Sequence, residues 1–139
     1  MAITTAAANK VLDYLFGATA FSNLSTMYMG LSTTTIANDG TGATEPSTSG
    51  TAYARVAIVN NKTNWATASA ASLTNAAAIT FTESTASWGT ITYVFLAASA
   101  TVGTADIWYF EALSVPKTVQ TATTVQFAIG AVTVSMTNA

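Results

Sequence analysis

The alternation of hydrophobic and polar residues predicts a chain that is mainly β, with one helix at its start. Between residues 6 and 16 the apolar side chains recur with the period of a helix and form one stripe: Ala8, Val11, Leu12, Leu15 and Phe16. Thr4 or Thr5 is suited to cap the beginning of this helix, and Gly17 predicts a left-handed residue at its end. A helix of about three turns is marginal alone. We therefore expect it to pack on its own domain or on another subunit.

Strand patterns fill most of the remaining chain. Period-two alternation, or a high density of β-branched and aromatic residues, predicts strands at 27–32, 53–59, 78–82, 88–97, 105–113 and 125–136. In the last of these the apolar face changes at Gly130, which predicts a bulge or bend within one long strand. Residues 115–118, which include Pro116, are expected to end the preceding strand. The residues at 65–71 fit either a short helical turn or an irregular stretch. Together the elements predict an antiparallel β-sandwich or jelly roll with one N-terminal α-helix.

The predicted strand at 105–113 carries large apolar groups on both faces. One face holds Ile107, Tyr109 and Leu113. The other holds Trp108 and Phe110. Because both faces are apolar, we expect the sandwich core to cover one, and the N-terminal helix or another chain to cover the other.

The whole chain, residues 1–139, is expected to form one domain. Within it, 1–24 is predicted to be a helical arm and 25–139 the β-sandwich. The sandwich includes a long, glycine-punctuated loop at 34–52. Loops of more than about 12 residues without their own structure usually bind something or are disordered. We therefore expect this loop to contact a neighbouring protein.

Charged residues are scarce. They make up 7% of the chain, against about 25% in a typical soluble domain. Because a free monomer normally stays soluble through a charged surface, we expect neighbouring subunits to cover part of this one. The net charge of −2, with four basic residues, argues against nucleic-acid binding. No apolar run reaches the roughly 18 residues of a membrane span. The first residues lack the pattern of a signal peptide, so synthesis without signal-dependent export is expected.

The chain has no histidine and no cysteine, which excludes Ser-His-Asp and Cys-His catalysis and the commonest zinc ligands. Asp106 and Glu111 are predicted on opposite faces of one strand, about 16 Å apart, which is a poor spacing for a glycosidase pair. The residues around Asp39 do not have the spacing of a calcium loop. No motif marks a Ser-Lys dyad at Lys62 or Lys117. We therefore expect no enzymatic activity, no metal and no cofactor.

Instead, the chain offers candidates for contact with a partner protein. Those residues are Val11, Leu15, Asp39, Glu45, Tyr53, Arg55, Trp108 and Phe110. Tyr and Arg are enriched at interface anchors, and Tyr53 and Arg55 are predicted on one strand face. The alternative is that Arg55 pairs with a carboxylate of its own domain: Glu45, Glu83 or Glu111. Trp65 is expected to cover the core rather than to form a ligand platform.

A family resemblance extends from residue 28 to residue 118. It is carried by these segments in order: 28–34 (YMGLSTT), 39–42 (DGTG), 45–47 (EPS), 53–56 (YARV), 64–66 (NWA), Asn75, 79–81 (ITF), 88–92 (WGTIT) and 117–118 (KT). In these segments the chain resembles a family of small tailed-bacteriophage virion proteins. It departs from the family pattern at Ala52, where a glycine usually precedes Tyr-Ala-Arg, and at Thr82, where a proline usually follows Phe.

The resemblance implies a structural role on the phage particle. Such proteins are described sometimes as head decoration (cement) proteins and sometimes as tail-fibre proteins. The first hypothesis is a decoration protein on the outside of the capsid, made in the host cytoplasm. It would contact the major capsid protein and copies of itself in a homo-oligomer, with a trimer favoured over a dimer. The second is a tail-fibre, collar or baseplate component. The third is a carbohydrate-binding module, since sandwiches with exposed Trp and Tyr often bind glycans.

Overall fold

A computed structural model describes residues 1–17, 19–20 and 24–136. The predicted helical arm, 1–24, therefore includes positions 18 and 21–23, which lie outside the described residues. The elements in chain order are β1 (Ala2–Ile3), α1 (Thr5–Phe16), β2 (Thr26–Ser32), β3 (Val56–Val59), β4 (Ser72–Thr74), β5 (Ile79–Thr80), β6 (Gly89–Ala97), β7 (Ile107–Val119), β8 (Gln126–Phe127) and β9 (Thr133–Ser135). The prediction of a mainly β protein with one N-terminal helix is confirmed.

The central element is a five-stranded antiparallel sheet with the strand order β1-β7-β6-β2-β3. Two short antiparallel ladders, β4–β9 and β5–β8, complete the described strands. Side chains of these ladders pack against the main core cluster, which also contains residues of the five-stranded sheet. The architecture is therefore sandwich-like, with two ladders in place of a continuous second sheet.

The alternation in β2 explains how the sheet contributes to this core. Met27, Met29 and Leu31 share one face and are all buried, as the period-two pattern predicts. Tyr53 joins the same core, where its ring meets Phe81 and Trp88 at centroid distances of 6.3 and 5.3 Å. Edge-to-face and offset contacts of this kind stabilise aromatic clusters beyond their buried area.

The strand β7 continues through the proline that was expected to end it. It runs to Val119, and a register shift in its pairing with β6 accommodates Pro116. From Tyr93 to Ile91 the strand β6 advances two residues, while β7 advances five, from Ala112 to Lys117. The extra residues form a bulge, where the missing N–H of a proline costs no ladder hydrogen bond.

A second bulge changes the predicted faces of β7. Ala97 pairs with Ile107 and Leu96 pairs with Tyr109, so the ladder between β6 and β7 skips Trp108. Trp108 and Tyr109 consequently both contact the main core, whereas Ile107 packs on the opposite side of the sheet. The assignment of Ile107 and Tyr109 to one face was therefore wrong, because a bulge interrupts the two-residue period.

The opposite side of the sheet is covered by the chain's own long loop. Ile36 and Ala43 from this loop pack with Phe95, Ala97 and Ile107 in a second, smaller core cluster. The helix does not cover this side of the sheet; it packs with Trp108 on the main-core side instead.

The C-terminal segment is two strands instead of one. Gly130 adopts φ +77° between β8 and β9, in a turn that sends them to different partners, β5 and β4. The sequence therefore marked the correct position, but the change of direction is larger than a bulge. Residues 65–71 are irregular, and Ser69 and Ser72 form a bridge around Ala70 and Ala71, both with positive φ.

Helix α1 begins as predicted and ends differently. The side chain of Thr4 caps it by accepting a hydrogen bond from Ala7 N at 3.1 Å. Gly17 has φ −107°, so the prediction of a left-handed C-terminal residue was wrong; its N–H instead bonds Asp13 O at 2.8 Å. Ala7 is buried and Val11 is half-buried against the main core, so the first part of the helix packs on its own domain.

Candidate interaction surface

A buried ion pair joins Glu45 of the long loop to Arg55, the residue before β3. The carboxylate of Glu45 accepts hydrogen bonds from Arg55 Nη2 at 2.7 Å and from Arg55 Nε at 3.1 and 3.2 Å. The two side chains are only 3% and 1% exposed. Such a bidentate pair fixes both groups in position as well as compensating their charges. The alternative in which Arg55 pairs with Glu45 is therefore the one the structure shows.

Further bonds join this pair to the segment before β7. Arg55 Nη1 donates to Ser99 O at 2.8 Å and lies 3.4 Å from Asp106 Oδ1, and Nη2 donates to Thr104 O at 3.0 Å. Glu45 Oε1 accepts from Gly103 N at 2.8 Å. Gly103 has φ +85°, a left-handed conformation that favours glycine at this turn.

These contacts shift the pKa values of buried groups. Burial lowers the pKa of Arg55, but hydrogen bonds to Glu45 and the charges of Glu45 and Asp106 outweigh this, so its pKa lies above the ordinary value. Burial raises the pKa of Tyr53, whose hydroxyl donates to Glu45 at 2.8 Å and accepts from Leu31 N at 2.9 Å.

The earlier part of the loop is also attached to its own sheet. Thr33 N donates to Thr44 O at 2.9 Å, and Thr44 N donates to Ser32 Oγ at 3.0 Å. Asp39 stays exposed in a tight turn, where hydrogen bonds from the Thr41 hydroxyl and N–H lower the pKa of its carboxyl. The loop thus lies along the body of the protein instead of extending away from it.

The structure separates the eight candidate contact residues into two groups. Leu15 and Asp39 are exposed. The others are buried or half-buried: Val11, Glu45, Tyr53, Arg55, Trp108 and Phe110. Contact with a partner through Leu15 and Asp39 stays a prediction, while the side chains of the second group mainly face the interior.

A patch of apolar side chains lies exposed at the end of α1. Its members, with their exposed fractions, are Leu12 (54%), Tyr14 (54%), Leu15 (61%) and Phe16 (85%). We call these four residues the helix-end patch. Only Leu15 was among the candidate contact residues. The signal for Leu12 and Phe16 was the continuation of the apolar stripe past the residues that pack on the core, whereas Tyr14 lies outside that stripe.

A cleft of about 530 Å³ opens beside Trp65 and Trp108. Leu73 and Val134 contribute further apolar side chains, and Lys62 lies at its polar margin. We call this feature the Trp65–Trp108 cleft. Its volume falls in the range of about 300–1,000 Å³ that is typical of binding clefts. The prediction that Trp65 covers the core is confirmed: Trp65 is buried, and its Nε1 donates to Asn60 Oδ1 at 3.1 Å.

Within the described ranges 1–17, 19–20 and 24–136, no cluster of three or more Asp, Glu, His or Cys side chains is placed to hold a metal ion. The helix in the described part of the chain is also too short to pass through a membrane.

The described residues form a small, mainly β protein with exposed apolar side chains at the end of its helix. Residues 2–135 match the family described as Podophage GP4 fiber I protein gp80. The chain belongs to this family, and it is therefore a structural protein of the phage virion. No curated protein matches its sequence.

Proposed function

We propose that this protein is a component of the fibre apparatus of a podophage, where it acts through protein–protein contacts as a homo-oligomer. The single observation that carries the proposal is the match of residues 2–135 to a family described as a fibre protein. This corresponds to the second hypothesis from the sequence and takes precedence over head decoration for that reason.

The distribution of polarity supports a structural role in an assembly. Only 7% of the residues are charged, yet the ion pair of Glu45 and Arg55 is buried, so this pair adds little charge to the surface. The helix-end patch meanwhile exposes four large apolar side chains. Exposed apolar patches on a soluble protein commonly mark sites of protein–protein interaction. We extend the proposal to a protein without enzymatic activity or cofactor.

The location is tested on purified virions. We expect antibody against this chain to label the tail region in electron micrographs. Quantitative mass spectrometry should give far fewer copies of it per particle than of the major capsid protein. Labelling spread over the shell, with a copy number comparable to that of the major capsid protein, would contradict a fibre location.

Head decoration is the second candidate, with the major capsid protein as partner. The observation that favours it is the sandwich-like body, whose long loop folds back on its own sheet and whose sequence has no internal repeat of the kind that extends long fibres. Under this hypothesis, purified protein binds undecorated capsids and raises their temperature of disruption. Failure to bind such capsids would remove the candidate.

A further inference from the structure

We propose that the helix-end patch of one copy inserts into the Trp65–Trp108 cleft of a second copy. This interface deepens the proposed function and rests on its premise that the protein works as a homo-oligomer. It names the surface through which the copies meet.

The element that inserts is the last part of α1. Leu12, Leu15 and Phe16 have the i, i+3, i+4 spacing that places side chains on one helix face, and all three are mostly exposed. The same stripe is in contact with the core at Ala8 and Val11. The helix therefore continues beyond the surface on which it packs, and the rest of its apolar face is available to another molecule.

The receiving surface is an open cleft lined mostly by apolar side chains. Met27 and Leu96, both buried, contribute to its lining along with Trp65, Leu73 and Val134. A cleft of about 530 Å³ has room for the ends of a few apolar side chains. Phe16 of the same chain is 85% exposed, so it does not fill this cleft.

The charges at the two surfaces are complementary. The last turn of α1 carries no basic residue, and Asp13 lies exposed beside the apolar stripe. The C-terminus of a helix also carries a partial negative charge. Lys62, exposed at the margin of the cleft, supplies the opposite charge. This complementarity favours α1 of a second copy as the occupant over a neutral apolar partner.

The two surfaces lie near each other on one chain. Lys10 of α1 is 5.5 Å from the ring centroid of Trp108, which lines the cleft. A helix-end patch and a cleft on the same side allow reciprocal contacts, which close a symmetric assembly and leave no patch uncovered.

Cross-linking of the full chain tests the contact directly. The protein has no cysteine, so a short bis-maleimide links only introduced thiols. One preparation carries Phe16→Cys and a second, of different mass, carries Lys62→Cys. We expect the mixed product between them in preference to the product of Phe16→Cys with Val115→Cys, a matched control at another exposed site. Equal yields of the two mixed products would overturn the proposal.

A charge exchange tests the same contact without a cross-linker. Sedimentation velocity over a concentration series should show self-association of the wild type. Asp13→Lys and Lys62→Glu should each raise the dissociation constant about tenfold, and the double variant should restore it. A monomeric wild type, or a double variant no better than the singles, would reject the interface. Because these measurements are made on isolated protein, their failure is distinguishable from an incorrect location on the virion.

Discussion

The long loop that carries Glu45 and the end of helix α1 differ in how their polar and apolar side chains are placed. The loop places a carboxylate and a guanidinium in the interior, each less than 5% exposed, and surrounds them with hydrogen-bond partners. The helix end leaves Phe16 and its neighbours largely in solvent. One region has satisfied its polar groups within the chain, whereas the other has apolar surface still to be covered.

From this difference we expect the helix end, and not the loop, to be available to a partner. A buried, bidentate ion pair is costly to separate, because each charge left alone in the interior is poorly solvated. Moving the loop to reach a neighbour would separate that pair. Covering the helix end requires no such change, and it removes apolar surface from water, which is favourable. In this protein, the exposed part of the apolar stripe on α1 is therefore a better guide to a candidate contact surface than the long polar loop or the charged residues.

The largest expected effect is the loss of the carboxylate that holds Arg55. Glu45→Ala should lower the free energy of unfolding by about 3–5 kcal/mol, because it leaves a buried charge with one weaker partner, Asp106. Urea denaturation followed by tryptophan fluorescence measures this. The same substitution at the exposed Glu83 is the control and should change the value by less than about 0.5 kcal/mol. Similar losses for the two variants would show that the ion pair does not stabilise the loop.

The next effect concerns the sheet face beneath the loop. A Cβ at Gly30 would lie 2.2 Å from Cζ of Phe95, whose ring is 5.1 Å from the guanidinium of Arg55. Gly30→Ala should cost about 1–3 kcal/mol, since the ring has to move in a packed core. Combining it with Phe95→Leu should cost less than the sum of the two single changes, because both act on one contact. Additive losses would contradict this packing.

Alkaline pH should weaken the loop region through Tyr53. Because burial raises the pKa of Tyr53 in the folded protein, the unfolded chain loses this proton first, near pH 10. The unfolded state then binds fewer protons than the folded state, so stability is retained below about pH 10 and falls above it, by at most about 1.4 kcal/mol per pH unit. Denaturation curves of the wild type and of Tyr53→Phe, recorded between pH 8 and 11, check this. An unchanged pH slope in the variant would assign the loss to other groups, of which Tyr109, also buried and raised in pKa, is the first to examine.

A smaller gain is expected at the turn that leads into the ion pair. Ala52 adopts φ +59°, a left-handed conformation that costs a non-glycine residue about 1–2 kcal/mol. Allowing for the greater freedom of glycine in the unfolded chain, Ala52→Gly should raise the unfolding free energy by about 1 kcal/mol. Ala54→Gly, two residues away and without a positive φ, should instead lower it. Equal shifts in melting temperature for the two variants would exclude relief of strain at Ala52.

The smallest effect is expected at the helix end. Phe16→Ala should change the unfolding free energy of dilute protein by less than about 0.5 kcal/mol, because the side chain is already in water. Phe81→Ala, the same change in the core, should cost about 3–5 kcal/mol. Thermal unfolding monitored by circular dichroism compares the two. A large loss at Phe16 in dilute solution would mean that its ring packs within the chain.

Periodicity predicted the fold well where one period continues without interruption. In β2, Met27, Met29 and Leu31 are buried as their alternation predicts. At the beginning of α1, Ala8 and Val11 of the predicted stripe pack against the main core. The errors lie at β7, where two bulges change the register. Bulges depend on how one strand pairs with another, and that information is not present within a single segment of sequence. The two short strands at the C-terminus were merged for the same reason, since each is defined by a different partner.

The burial of the candidate contact residues was harder to predict than the fold. Tyr53 and Arg55 have residue types that are typical of interfaces, but Glu45, eight and ten residues earlier, satisfies them inside the chain. The sequence alone does not show that these hydrogen bonds form within the chain. For α1, the stripe was recognised, but its exposure depends on where the sandwich ends beneath the helix, which is a property of the tertiary structure.

The bulge that contains Pro116 has a consequence for how sheets of this protein behave at high concentration. Beyond Phe110, where pairing with β1 ends, the described chain offers no partner to the outer side of β7. A long free edge of this kind can add strands from other molecules and polymerise without limit. Pro116 lacks the donor such addition requires, and the neighbouring Lys117 adds a charge that discourages it. We therefore expect Pro116 and Lys117 to disfavour the addition of strands from other molecules at this open margin of the sheet.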